Sequence, residues 1–303
     1  MRLLKTENTI MEEGTFVYHS NKPEWGLGKV IKLDKQGYAY VFFLEAGMKR
    51  LTNHPEFFTV INSISSHPLL DGITSINDKS TAKYRSLKHL VEIFLKLFPK
   101  GFNDPEYFTH EREYKYKAHV EMKALLDEPV FAKLIAENQY GELYKRTSRI
   151  MNMTNLVFPN EKMALRDGLA TPAEQQEFIT LLYAMLYKED DPTSHFHEFA
   201  RFLKKIGASR WTNQTYFLFI RHPEKYLFMK PAAFQQGAEI CAFDIKYKSE
   251  PNWTTYSALL SFGQYLKNEL SGYGPNLQAI DLIDVQSFIF CVAQEIYEGI
   301  QLK

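Results

Sequence analysis

Pro23-Glu24-Trp25-Gly26-Leu27-Gly28-Lys29-Val30-Ile31-Lys32-Leu33 decides the first part of the fold. Two glycines bracket one residue after a tryptophan, and a β-branched run follows. Gly26 and Gly28 allow a tight backbone bend at the entrance to a strand. Thr15-Phe16-Val17-Tyr18 before the stretch and Tyr38-Ala39-Tyr40-Val41-Phe42-Phe43 after it are also β-rich. Asp34-Lys35-Gln36-Gly37 reads as the hairpin turn between the last two runs. Lys29, Lys32 and Lys35 keep one side polar. Short strands punctuated by Gly14, Gly26, Gly28, Gly37 and Gly47 suit a small, strongly bent barrel.

Past this module the signal changes. Residues 52–80 hold the breakers His54-Pro55, Ser65-Ser66-His67-Pro68 and Asn77-Asp78-Lys79-Ser80, and the linker is placed at 61–80. From Thr81 the apolar period is helical, with Tyr84, Leu87, Val91, Phe94 and Phe98 on one face and a stop at Pro99-Lys100-Gly101. Asp104-Pro105 and Thr171-Pro172-Ala173-Glu174 carry helix-start chemistry, and Gly207 ends a Phe-rich helix. Thr215-Tyr216-Phe217-Leu218-Phe219-Ile220 and Tyr226-Leu227-Phe228-Met229 read as two strands of a minor hairpin around Arg221-His222-Pro223-Glu224-Lys225. Helices resume at 232–241, 254–270 and 285–296. The expected class is α+β: an SH3/Tudor-like β-barrel over 1–60, then a larger, mostly α-helical domain over 81–303 with that hairpin.

Phe16-Val17-Tyr18-His19, the Trp-Gly-x-Gly-x-Val segment and Val41-Phe42-Phe43-Leu44-Glu45-Ala46-Gly47-Met48-Lys49-Arg50-Leu51 together resemble a small bacterial domain family of unknown function. They are also similar to the Tudor-like domain at the C-terminus of bacterial DNA-repair helicases. Phe98-Pro99-Lys100-Gly101-Phe102-Asn103-Asp104-Pro105, Asn155-Leu156-Val157-Phe158-Pro159 and Asp281-Leu282-Ile283-Asp284 resemble the uncharacterised region that follows this module in some bacterial proteins. The resemblance implies a module that docks onto a protein or nucleic-acid partner and carries no chemistry.

Composition narrows the function classes. Lys+Arg 36 balances Asp+Glu 36, which argues against a surface that coats polyanions throughout. Cys241 and Cys291 stand far apart with no CxxC partner, so neither a disulfide framework nor a zinc site is expected. The charge-interrupted start and the absence of a long apolar run point to a cytoplasmic chain without a membrane span. No Gly-rich phosphate loop, G-x-S-x-G or HExxH is present. No cofactor or metal is expected.

The candidate binding residues form four groups. Trp25 and Tyr18, with Tyr38 and Tyr40, make either an aromatic platform or barrel core. Lys49 and Arg50 are cations at a strand end, either contacts for phosphate or an acidic partner or simply solvated. Arg166 follows Lys162 by four residues, so the two share a helix face and form either a phosphate clamp or structural pairs, Asp284 being one partner for Arg166. Arg221, His222, Lys225 and Lys230 surround the aromatic hairpin. Asp284 is also placed to N-cap the last helix. Glu111-Arg112-Glu113-Tyr114-Lys115-Tyr116-Lys117 supplies two i,i+4 pairs in the favourable order. These features suggest a non-enzymatic adaptor of a nucleic-acid-associated complex. A nucleic-acid-processing enzyme using Arg166, His222, Lys230 and Asp284, and a structural subunit of an assembly, are the alternatives.

Overall fold

The computed structural model describes residues 11–77 and 83–298. The charged start at 1–7 and part of the breaker run at 78–80 lie outside them. The chain is α+β, and it divides into two units. One comprises residues 1–93 with 236–244; the other comprises 94–235 with 245–303.

The first unit is built on five strands: β1 (Phe16–His19), β2 (Gly28–Leu33), β3 (Tyr38–Phe43), β4 (Gly47–Thr52) and β5 (Phe58–Val60). All pairings are antiparallel, in the order β4-β3-β2-β1-β5. The sheet is open, with β4 and β5 at its edges, where a barrel was expected. The β2–β3 turn forms as read: Asp34 Oδ1 accepts the N–H groups of Gln36 and Tyr38 at 3.0 and 2.8 Å, and Gly37 takes φ 84°. The β2–β3 register shifts between Val30 and Lys32, and such a bulge bends a strand.

Both faces of the sheet are covered. Val17, Val30, Ala39, Val41, Phe43 and Phe58 form one cluster, with Trp25 against it. Phe16, Leu27, Ile31 and Phe42 form the other, with Leu70, Ile73 and Ala242. The stretch expected as a linker therefore packs instead, since Leu69, Leu70 and Ile73 are buried. Lys29, read as solvent-facing, donates to the carbonyls of Leu70 and Ile73. Tyr84 stacks edge-on against Phe42, and its hydroxyl donates to Leu44 O.

The helices are α1 (Leu87–Leu97), α2 (Glu113–Leu126), α3 (Glu128–Ala136), α4 (Tyr140–Asn152), α5 (Pro159–Gly168), α6 (Pro172–Tyr187), α7 (Pro192–Lys205), α8 (Trp211–Arg221), α9 (Pro231–Ile240), α10 (Trp253–Leu270) and α11 (Leu282–Glu298). A short turn at Pro105–Tyr107, capped by Asp104, runs through a π-helical turn (Phe108–Arg112) into α2. In the second unit α6 packs on α4 and α7, α8 on α2, and α11 on α10. Phe94, Phe98, Phe102, Tyr107 and Phe288 make one aromatic centre there.

The expected minor β-hairpin is absent from the described residues. Its first strand is helix α8, in which Trp211 through Ile220 are all buried. A helix buried on every side has no polar stripe, so its sequence carries no helical period. Its second strand, Tyr226–Met229, is buried but pairs with no strand.

Candidate functional site

In the first unit, Trp25 sits on the 3₁₀ turn Pro23–Trp25, and Gly26 follows at φ 72°. That turn is held against the β3–β4 connection by Glu45 N–H to Trp25 O and Leu44 N–H to Leu27 O. Gly26 supplies the bend. Gly28 is needed for space instead: a Cβ there would lie 2.6 Å from the Phe43 ring and 2.9 Å from Val41.

The four aromatics read as either a platform or core do not lie on one face. Cross-strand partners Phe16, Lys29 and Phe42 define one face, to which Tyr18, Tyr38 and Tyr40 belong by alternation. Trp25 lies with the opposite set: His19 edge-on at 4.9 Å and Phe43 at 5.3 Å. His19 in turn stacks on Phe57 at 6.1 Å. Burial, with Lys22 nearby, lowers the His19 pKa. Lys49 Nζ stands 5.6 Å from the Trp25 ring centre and is in no ion pair among the described residues. Arg50 is committed elsewhere: its guanidinium stacks on Tyr38 at 3.6 Å and pairs with Asp34 at 3.8 Å. His19 and Phe57 escaped the sequence reading. Strand parity with Val17 is the signal that places His19 on the Trp25 side.

In the second unit the candidate residues are dispersed. Asp284 is wholly buried and accepts from Tyr107 Oη at 2.5 Å, Arg112 Nη1 at 2.7 Å and Ile280 N–H at 2.8 Å. Burial pushes its carboxyl up, against the pull of Arg112 and Tyr107. Asp281 takes the capping role expected of Asp284, accepting the Ile283 N–H at 2.9 Å while holding Arg112 through both oxygens. Burial opposes the Arg112 charge, but the Asp281 bond and both aspartates outweigh it and raise its pKa. Lys115, read as half of a helix pair with Glu111, does meet Glu111 at 3.4 Å. It is nevertheless fully buried and donates to Ser287 Oγ at 2.8 Å, and burial lowers its pKa. This is an internal ionic network tying the π turn to α11.

Arg221 donates to Tyr187 Oη and pairs with Asp127, both at 2.9 Å. His222 meets Glu224 and Leu186 O, and burial followed by the Arg221 charge lowers its pKa. Lys225 lies over its neighbour Tyr226, and Lys230 lies over the rings of Phe158 and Phe290. Arg166 pairs with Asp167 at 2.8 Å, not with Asp284. None of Arg166, His222, Lys230 and Asp284 is bonded to another of the four. Among the described residues no group of three or more His, Cys, Asp or Glu is arranged to hold a metal ion. No described helix is long and apolar enough to cross a membrane.

Arg166 and Lys162 do share a helix face, as their spacing requires. Both line a cleft of about 460 Å³ bounded by α4 and α5, with Phe178 of α6 and Phe217 of α8 also lining it. Lys162 Nζ donates to Thr154 O at 2.8 Å, and burial lowers its pKa.

No protein-family model, curated protein or solved structure matches this chain.

Proposed function

We propose that the chain is a non-enzymatic binding protein, an adaptor of a nucleic-acid-associated complex that docks through its N-terminal β-module. The observation that carries this reading is the half-buried Trp25 ring, backed edge-on by His19 and overlooked by Lys49 at 5.6 Å. A fixed aromatic face beside a cation not tied to a carboxylate is suited to stacking a base while meeting the adjoining phosphate. The all-antiparallel strand order, with β5 beside β1, and the bulge in β2 are the features in keeping with a Tudor/SH3-like module. Of the residues of the enzyme alternative, His222 and Asp284 are instead engaged by separate structural partners, and none of the four is bonded to another.

The test is fluorescence anisotropy with labelled single- and double-stranded DNA and RNA oligonucleotides in magnesium buffer. Binding should weaken as salt rises from about 50 to 200 mM, with the shallow slope of few phosphate contacts. Trp25→Ala should weaken it about tenfold or more, the worth of one stacked base. Lys49→Gln should reduce the salt slope by about one. The oligonucleotides should remain intact. Absence of binding at the lowest salt, or cleavage of the probe, would overturn the proposal.

A further inference from the structure

The cleft between α4 and α5 has the size of a small-molecule site. Met151, Leu165, Leu169, Phe178 and Phe217 give it an apolar lining, and all five are buried. Its charged lining is of one sign: Lys162 and Arg166 stand one helical turn apart on α5, and no Asp or Glu lines the cleft. Lys162 is half-buried, and no carboxylate pairs with it among the described residues. The Thr154 carbonyl takes one of its three N–H donors. Arg166 makes both its hydrogen bonds to a single oxygen of Asp167, its chain neighbour. Such an exposed pair is weak and readily exchanged for a better acceptor. Ser148 and Asn152 of α4 add a hydroxyl and an amide to the same cleft.

We propose that this cleft binds a small amphipathic anion, with its apolar body on the Met, Leu and Phe lining and its carboxylate or phosphate head on Lys162 and Arg166. A neutral apolar molecule would leave the Lys162 charge partly removed from water and still without a counter-charge. An anionic head supplies that counter-charge, and Arg166 can grip its oxygens through two parallel N–H groups. The site belongs to the helical unit and makes no use of Trp25, so it stands or falls independently of the docking surface.

Calorimetric titration of the full chain with decanoate, decyl phosphate and decan-1-ol tests this. At least one anion should saturate a single site about tenfold more tightly than the alcohol, as a charge-assisted bond requires. Whichever head binds better identifies the source of the anion. Lys162→Met should remove most of that preference. Arg166→Gln, at an exposed position, should weaken the anion several-fold with the urea midpoint unchanged. Met163→Trp, at another exposed lining residue, should block alcohol and anion alike. If Lys162→Met does not fold, these last two carry the test. The proposal is overturned if neither anion saturates, if decan-1-ol binds as tightly, or if folded variants bind the anion as the parent does.

Discussion

Asp284 and Asp167 are both aspartates beside an arginine, yet they sit in opposite physical regimes. Asp167 and Arg166 are mostly exposed, so water competes with their bond and its removal costs little. Asp284 is fully buried, accepts three hydrogen bonds and shares Arg112 with Asp281. Removing its charge leaves part of the Arg112 charge uncompensated in the interior. Asp284→Asn should therefore lower the unfolding free energy by about 3 kcal/mol in urea titration, whereas Arg166→Gln leaves the midpoint in place. A change of less than about 1 kcal/mol for Asp284→Asn would mean that Asp281 alone satisfies Arg112. Part of this cluster was legible, because the spacing of Glu111 and Lys115 fixes their i,i+4 meeting on any helix. The burial of Lys115 was not, because spacing along one helix does not reveal which of its faces another helix covers. Here Ser287 of α11 meets the polar end of Lys115, 172 residues away in sequence.

Among elements, those read correctly are those whose signals are local. Thr171 accepts the Glu174 N–H and Glu174 accepts the Thr171 N–H, so four residues suffice to mark the start of α6. Asp104 at Pro105 and Gly207 after α7 are equally local. Helix α8 defeated the reading because period is a record of one-sided burial, and α8 is covered on every side. Its aromatic and β-branched composition then mimicked a strand. The glycines of the β-module show the same divide. Gly37 was legible as a turn residue and takes the left-handed backbone expected of it. Gly28 has an ordinary strand backbone, and only the fold shows that the Phe43 ring occupies the space of its missing Cβ. Gly28→Ala should therefore cost about 1–3 kcal/mol, as overpacking does, because Phe43 is wholly buried and has no free volume to enter. The thermal midpoint of Gly28→Ala against parent measures this, and an unchanged midpoint would mean that β2 and β3 part easily at this position.

For the whole molecule, the decisive fact is that the β-module is not continuous in sequence. Residues 236–244 belong to its unit, although some 140 residues of helical chain come between. The link is specific: Ala242 packs with Phe16, Ile31 and Phe42, Ile240 O accepts the Arg85 N–H at 2.7 Å, and Glu239 pairs with Lys83 at 3.2 Å. Ala242 holds a left-handed backbone (φ 54°), which disfavours residues with a Cβ, so the turn ending α9 is kept there by its surroundings. A sequence reading that divides the chain by composition shifts cannot find such a return, because nothing in 236–244 looks like a strand or a breaker cluster. Physically, a small sheet has little core to spare, and losing the cover on one face removes a large share of its stability. Residues 1–93 produced alone should therefore melt broadly by circular dichroism and bind a hydrophobic dye, whereas the full chain melts cooperatively. Ala242→Asp in the full chain should reproduce part of that loss, since it places an unpaired charge against Phe16 and Phe42. A sharp melt of the 1–93 fragment at the parent's temperature would show that the module closes without residues 236–244. If the fragment fails as expected, the Trp25 docking face forms only after residue 244 has been made, so docking is tested on the full chain.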